Sequence, residues 1–408
     1  MPINTCRICD SMDLAPILSL GNLPLANALL TRQQLKFPER RFPLDLVLCR
    51  HCSLLQITAT IPPENLFRNY PYFSSYSDTM LRHAAKLVND LTRDLHLSHS
   101  SFVVEVASND GYLLQYFKQL DVPVLGVEPA KNIAQVAEAR GIPTINEFFD
   151  EHIAKRICDS GKQADVVIGN NVLAHVAHLH SFVEGIKVLL KPQGVAIFES
   201  AYACETVEHG EFDQIYHEHL CYYSATALNH LFAKHGLRVV DAEVMPIHGG
   251  SIRVYVNHEP STQPKARLLQ LLDEERVWGV TDMSAYVEFV NGVTKKREAL
   301  IDLLQNLKVS SKRVVAYGAS AKGSIMLNAF EIGMNLIEYV VDRSPHKQGL
   351  FMPGVHLPIY APERLLSDKP DYVLMLAWNF KEEVLAQMQD YRQAGGKFIV
   401  PIPDLEIV

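Results

Sequence analysis

The chain has 408 residues, 48% hydrophobic and 21% charged, a composition that excludes a mainly disordered protein. Its net charge of −8 disfavours a nucleic-acid partner, and no apolar run approaches the ~20 residues needed to span a bilayer. The opening MPINTCRICD lacks the basic start and apolar core of a secretory signal, so a cytoplasmic protein of two or three domains, at ~150 residues each, is expected.

The first element is a pair of spacings, Cys6-x-x-Cys9 and Cys49-x-x-Cys52, while Cys158, Cys204 and Cys221 stand alone. Without an export signal, disulfides are disfavoured and paired C-x-x-C units indicate zinc. Four thiolates complete a tetrahedral shell and leave no position for substrate, so the expected Zn2+ is structural. His51, inside the second knuckle, is read as a neighbour. The segment between the pairs is too small for a good core without such a staple, and residues 1–70 are assigned to a zinc-binding module.

Residues 71–260 alternate strand and helix signals. An aromatic stretch from Tyr70 to Tyr76 precedes a helical pattern with apolar positions at Met80, Ala84, Leu87, Val88, Leu91 and Leu95. Buried-type strands follow at 102–106, 124–127, 165–168 and 195–198, with a closing strand at 251–256. That alternation predicts a doubly wound, Rossmann-like α/β domain. Residues 261–310 read as a helical connector. Strands at 313–317, 337–341, 371–376 and 397–400 predict a second Rossmann-like α/β domain over 311–408.

The strand ending at Glu105 enters Ala107-Ser108-Asn109-Asp110-Gly111 and then a helix. Small residues there let backbone amides approach a ligand at the carboxyl edge of the sheet. Glu128, ending the next strand, is placed to hold a ribose hydroxyl pair. A dinucleotide and S-adenosylmethionine suit this outline equally. Glu105 and the turn Asn170-Asn171 favour the methyl donor, whereas Ala107 and Asn109 stand where a generic methyltransferase has glycine. The motif by itself is weak, and a plain tight turn is the alternative.

The densest chemistry lies in Tyr216-His217-Glu218-His219, followed by Tyr222 and Tyr223. Histidine removes protons near neutral pH, and a neighbouring carboxylate or phenol tunes or orients it. A solvated histidine cluster or a further metal site would look the same in sequence. Downstream, His248-Gly249-Gly250-Ser251-Ile252-Arg253 brings two glycines and a cation to a strand start, either lining a pocket or making a turn.

These segments together resemble the sugar C-methyltransferase family, from the cysteine knuckles through Glu105–Leu114 and Tyr216–His219 to His248–Arg253, Tyr317–Gly323 and Ala377-Trp378-Asn379. The resemblance spans essentially the whole chain, and it accounts for Ala107 and Asn109, since the family carries Ala-Ser-Asn-Asp-Gly at this turn. It implies methyl transfer from S-adenosylmethionine to carbon of a nucleotide-linked 4-keto-deoxy sugar, dTDP-linked and methylated at C3, with C5 the other carbon beside the ketone. It further implies His219 as the base, Glu218 and Tyr216 as its supports or sugar contacts, and His175 with Tyr70 or Tyr76 as pocket residues. Glu105, Ala107, Asn109, Gly111, Glu128, Asn170 and Asn171 would hold the cofactor. Tyr222, His248, Arg253, Tyr317, Gly318, Ala319, Lys322, Trp378 and Asn379 would hold the sugar nucleotide, with the Gly318 turn facing its diphosphate. A monomer is expected, with no nucleic acid and no membrane as partners. A nicotinamide oxidoreductase acting on a sugar nucleotide is the rival enzyme class.

Overall fold

The computed structural model describes residues 3–247, 249–258 and 263–408. Strands Leu14–Pro24 (β1), Arg41–Cys49 (β2) and Leu55–Ile57 (β3) form an antiparallel meander. β2 buries Leu44, Leu46 and Leu48 at alternate positions, the period of a pleated strand with one face in a core. The second cysteine pair sits in the tight turn from β2 to β3, closed by Ser53 N–H donating to the Cys49 carbonyl at 2.9 Å.

The central sheet begins with Val103–Val106 (β4), Val124–Val127 (β5), Thr144–Ile145 (β6), Ala164–Asn170 (β7) and Leu190–Ala201 (β8). After the short strand Cys221–Tyr222 (β9), it ends with Leu237–Met245 (β10) and Ser251–His258 (β11). The order is β10-β11-β8-β7-β4-β5-β6, with β11 antiparallel to both neighbours and the rest parallel. Val103, Val104 and Val106 are fully buried, as a central parallel strand requires. Strand order reverses between β4 and β7, so a crevice opens at their carboxyl ends. The fold is therefore the expected α/β class.

β9 does not join this sheet. It pairs with β3 instead, with Leu55 opposite Tyr222 and Gln56 opposite Cys221, so the first sheet runs β1-β2-β3-β9. The strand that follows the Tyr216–His219 segment is thus borrowed by the cysteine-bearing sheet.

Helices Ala266–Trp278 and Met283–Val309 connect to the last sheet. That sheet comprises Val314–Tyr317 (β12), Val340–Val341 (β13), Ile359–Tyr360 (β14), Tyr372–Met375 (β15), Lys397–Val400 (β16) and Glu406–Ile407 (β17). Its order is β14-β13-β12-β15-β16-β17, all parallel except β17. A second reversal of order lies between β12 and β15. Among the described residues, no helix is long and apolar enough to cross a membrane.

Candidate functional site

The four Sγ atoms of Cys6, Cys9, Cys49 and Cys52 lie within 4.8 Å of one another, with Cys6–Cys52 and Cys9–Cys49 at 3.5 Å. A tetrahedron of thiolates about 2.3 Å from zinc has sulfur–sulfur edges near 3.8 Å. The donor set therefore fits Zn2+ and is closed to substrate. His51 stands outside it, with its ring 6.0 Å from that of His230.

At the central crevice, Ala107, Asn109 and Gly111 all take positive φ, 55°, 48° and 76°. A Cβ on Gly111 would come within 2.9 Å of Ile142 Cγ1, so glycine lets the turn close against the segment leading into β6. Glu128 accepts from the Asn109 amide at 2.9 Å and the Ala130 amide at 2.8 Å, while burial pushes its carboxyl up to about 7. Burial, reinforced by the nearby Glu128 charge, raises the Glu105 carboxyl well above the usual range. Glu105 Oε2, Ser108 Oγ and Asn170 Oδ1 are buried at these strand ends with no partner in the protein. Buried polar atoms demand partners. A polar donor carrying ribose hydroxyls and an ammonium group fits this edge, with Glu105, Ala107, Asn109, Gly111, Glu128, Asn170 and Asn171 as the residues that would hold it.

A small cavity joins this edge to the histidine segment. Asn171, Ala174, Ser200, Ala201, His219, Cys221 and Tyr222 line it. The His219 ring is sorted by its partners. The Gln214 carbonyl can only accept, so Nδ1 carries the hydrogen and donates to it at 3.1 Å. Nε2 then accepts from the Tyr216 hydroxyl at 2.7 Å. His175 packs at 4.7 Å, ring to ring, and its Nδ1–H donates to the Glu218 carbonyl at 2.8 Å. Burial pulls His175 down to about 4, which keeps it neutral.

Glu218 faces a different set. The Tyr70 hydroxyl donates to its Oε2 at 2.9 Å, and Asn27 Nδ2 donates to both oxygens at 2.9 Å. Burial pushes this carboxyl up to about 7 against those donors and the Lys347 charge. Between the two expected tyrosines, the structure brings Tyr70 to Glu218. Tyr76 is 40% exposed, and its ring lies with Phe73 against His346. His217 turns the other way, toward the Phe42 carbonyl at 3.2 Å. Tyr222 donates to the Gln214 carbonyl at 3.1 Å and so braces the same turn as His219.

In the last domain, Gly318 has φ 98°, and a Cβ there would meet Ala377 Cβ at 2.8 Å, so glycine lets the ends of β12 and β15 approach. The Ala319 amide donates to Asp342 Oδ2 at 2.8 Å, and Ser320 Oγ caps the following helix by accepting from Gly323 N–H at 3.0 Å. Lys322 Nζ sits 4.4 Å from the Trp378 ring centroid, and Trp378 Nε1–H donates to Asp213 Oδ2 at 2.7 Å. That bond joins the last domain to the turn carrying Gln214; Asn379 follows Trp378 in a short 3-10 turn. Tyr317 instead points its hydroxyl at Gln387 Oε1, 3.3 Å away.

Arg253 is engaged inside the central sheet, with Nη2 2.8 Å from Glu199 Oε2 and Nη1 3.3 Å from Glu243 Oε1. His248 lies outside the described residues. Sequence reasoning missed Asn27, Asp213 and Lys347. Lys347 is buried, donates to the Ala319 carbonyl at 2.8 Å and lies in Asp342-Arg343-Ser344-Pro345-His346-Lys347 just after β13. Asn27 lies in a loop with no local chemical signal.

Comparison with known proteins follows the same three parts. Family models match residues 6–67 (zinc binding domain), 79–242 (methyltransferase domain) and 246–403 (C-methyltransferase C-terminal domain). The chain is 36% identical over 408 residues to C-methyltransferase NovU of Streptomyces niveus, covering 100% of this chain and 97% of that protein. It is 23% identical over 94 residues to a ubiquinone biosynthesis O-methyltransferase of Bartonella bacilliformis, covering 23% of this chain and 38% of the other. Among solved structures, magnesium protoporphyrin IX methyltransferase of Synechocystis PCC 6803 is similar over 44% of this chain and 83% of its own, at 14% identity and a TM-score of 0.36.

Proposed function

The chain belongs to the C-methyltransferase family that includes NovU, and on that premise we propose that it methylates carbon in a nucleotide-linked 4-keto-deoxy sugar. The nucleotide in this reading is dTDP and the acceptor is C3. Bound S-adenosylmethionine supplies an electrophilic methyl group. What this chain's residues must supply is a base for the carbon acid, a donor for the enolate oxygen and alignment of the two ligands.

The observation that carries the reading is His219, whose ring borders the cavity that Asn171 of the donor edge also lines. Its Nδ1–H is committed to the Gln214 carbonyl, so Nε2 is the atom that takes the substrate proton. Burial keeps the Tyr216 phenol protonated, well above the ordinary tyrosine range. In the reaction, Tyr216 turns its hydroxyl from Nε2 to the ketone oxygen and stabilises the enolate there. Neutral His175 holds the Glu218 backbone without placing a second cation beside the charging imidazole. Transfer to oxygen or nitrogen needs no base for a carbon acid, which favours the carbon reading.

Lys322, Trp378 and the Gly318–Gly323 turn are assigned to the nucleotide portion, since they border the strand-order reversal of the last sheet. The test is a panel of dTDP-, GDP- and CDP-linked 4-keto sugars incubated with S-adenosylmethionine. A product 14 mass units heavier, with the new methyl placed on C3 by carbon NMR, is the expected result, 14 being approximately the mass of one CH₂ unit. A methyl on C5 corrects the position, and a methyl on oxygen or nitrogen rejects the reading.

A further inference from the structure

Glu218 is held from outside the methyltransferase domain. Asn27 lies just after β1, in the cysteine-bearing module, yet its Nδ2 meets both Glu218 oxygens at 2.9 Å. The loop that presents it is fixed independently of Glu218. Ala26 and Leu30 are buried, and Leu30 pairs with Phe351 of the last domain through reciprocal backbone bonds of 2.9 and 2.8 Å. Glu39, before β2, adds a second tie by accepting from the Gly354 amide at 3.0 Å. The aim of the Asn27 amide is therefore set by two other domains.

We propose that Asn27 is a positioning residue for methyl transfer, holding the Glu218 side chain as a carboxylate in one orientation beside the reaction cavity. The inference rests on the proposed function only in needing Glu218 at the reaction site. Two donors, Asn27 and Tyr70, oppose the burial that favours the neutral acid; hydrogen bonds to a charged form stabilise that form. The titratable and charged groups that act on the Glu218 carboxyl are Tyr70, Tyr216 and Lys347, drawn from separate segments of the chain, while His175 meets the Glu218 backbone carbonyl. None of them replaces an amide donor that bridges both oxygens. The carboxylate's state is thus linked to the seating of the N-terminal module.

The experiment measures kcat and KM across pH for wild type, Asn27→Ala, the isosteric Asn27→Asp, Glu218→Gln and the Asn27→Ala/Glu218→Gln pair. Calorimetric binding of S-adenosylmethionine checks the fold of each. Asn27→Ala is expected to lower kcat about tenfold to a hundredfold, as loss of a bond to a buried charge does. It should leave donor binding intact and move the acid-side half-maximum of kcat/KM to higher pH. Asn27→Asp should move that limb further, because a second carboxylate then opposes ionisation of the first. In the Glu218→Gln background, removal of Asn27 should cost nothing more. An additive loss in the double variant, or an unmoved acid limb in Asn27→Asp, overturns the proposal while leaving the reaction assignment standing. Full activity of Glu218→Gln overturns the assignment of Glu218 to the site and the proposal with it.

Discussion

Leu55 of the cysteine-bearing sheet pairs with Tyr222, which lies just beyond His219 on the chain. The same stretch is tied on its other side, where the Leu220 amide donates to the Ala174 carbonyl at 2.6 Å. The Ser53 and Ser224 hydroxyls, 2.8 Å apart, add a side-chain link between the second knuckle and the segment after β9. The cysteine-bearing module and the cavity lined by His219 therefore share a strand.

Loss of metal should consequently reach both stability and turnover. A structural zinc contributes about 10–16 kcal/mol of binding free energy that folding draws on. Cys49→Ser is expected to lose bound zinc, lower the Tm and reduce methyl transfer in proportion to the folded fraction. Metal analysis, thermal unfolding and activity measured on one preparation check this. A chelated, zinc-free protein with an unchanged Tm would show that the thiols fold without an ion.

Glu128 provides a pH prediction for donor binding. Its carboxyl, pushed up to about 7 by burial, must ionise to accept two ribose hydroxyls well. Affinity for S-adenosylmethionine is therefore expected to rise between pH 6 and 8, and Glu128→Ala should weaken it without weakening the sugar nucleotide. Stability runs the opposite way. A folded pKa above the unfolded value favours the fold below about 4.5, and that contribution is lost as pH rises toward 7. The Tm of Glu128→Gln minus that of wild type, both without ligand, should thus be larger at pH 7.5 than at pH 5. A pH-independent difference would remove the assignment of this ionisation.

The last domain is tested through Lys322, which lies over the Trp378 ring. Burial lowers the Lys322 pKa, and the neighbouring Asp213 and Glu211 carboxyls oppose that shift. Lys322→Ala is expected to weaken sugar-nucleotide binding about tenfold to a hundredfold, the scale of one bond to a charged group. S-adenosylmethionine binding should not change. Titration calorimetry with each ligand separately distinguishes this from a folding defect, in which both affinities fall.

The alternation of buried strands and helices made both Rossmann-like sheets legible, because a parallel strand covered on both faces must be apolar along its whole length. The cysteine spacing was equally legible, since the chemistry of a closed zinc shell is local to the motif. β9 was not, being two residues long and buried in a sheet distant in sequence. The choice between Tyr70 and Tyr76 also escaped the sequence, as both share one aromatic stretch and only the path of the chain over Phe73 separates them. Asn27 was invisible from the sequence, since it lies 191 positions before the carboxylate it holds. The pairing of Arg253 with Glu199 was likewise out of reach of a strand pattern.

The last prediction concerns the proton. If His219 Nε2 removes hydrogen from the carbon beside the ketone, the wild-type enzyme should exchange that hydrogen with solvent deuterium when S-adenosylhomocysteine fills the donor site. His219→Asn keeps a polar group near the Nδ1 position but has no basic nitrogen. It should bind both ligands with near-normal affinity and lose exchange and methylation together, by about a hundredfold to ten-thousandfold. Tyr216→Phe tests the partner, since it removes the hydroxyl that now lies 2.7 Å from Nε2. Exchange should fall less than in His219→Asn, because the base is intact and only the donor to the enolate oxygen is gone. Glu218→Gln should lower methylation with a smaller exchange defect if the carboxylate orients the site without taking the proton itself. Mass spectrometry reads deuterium uptake and methyl gain in one sample. Undiminished methyl transfer by His219→Asn would move the base to Tyr216, Tyr70 or His175, and a large exchange defect confined to Tyr216→Phe would select the phenol.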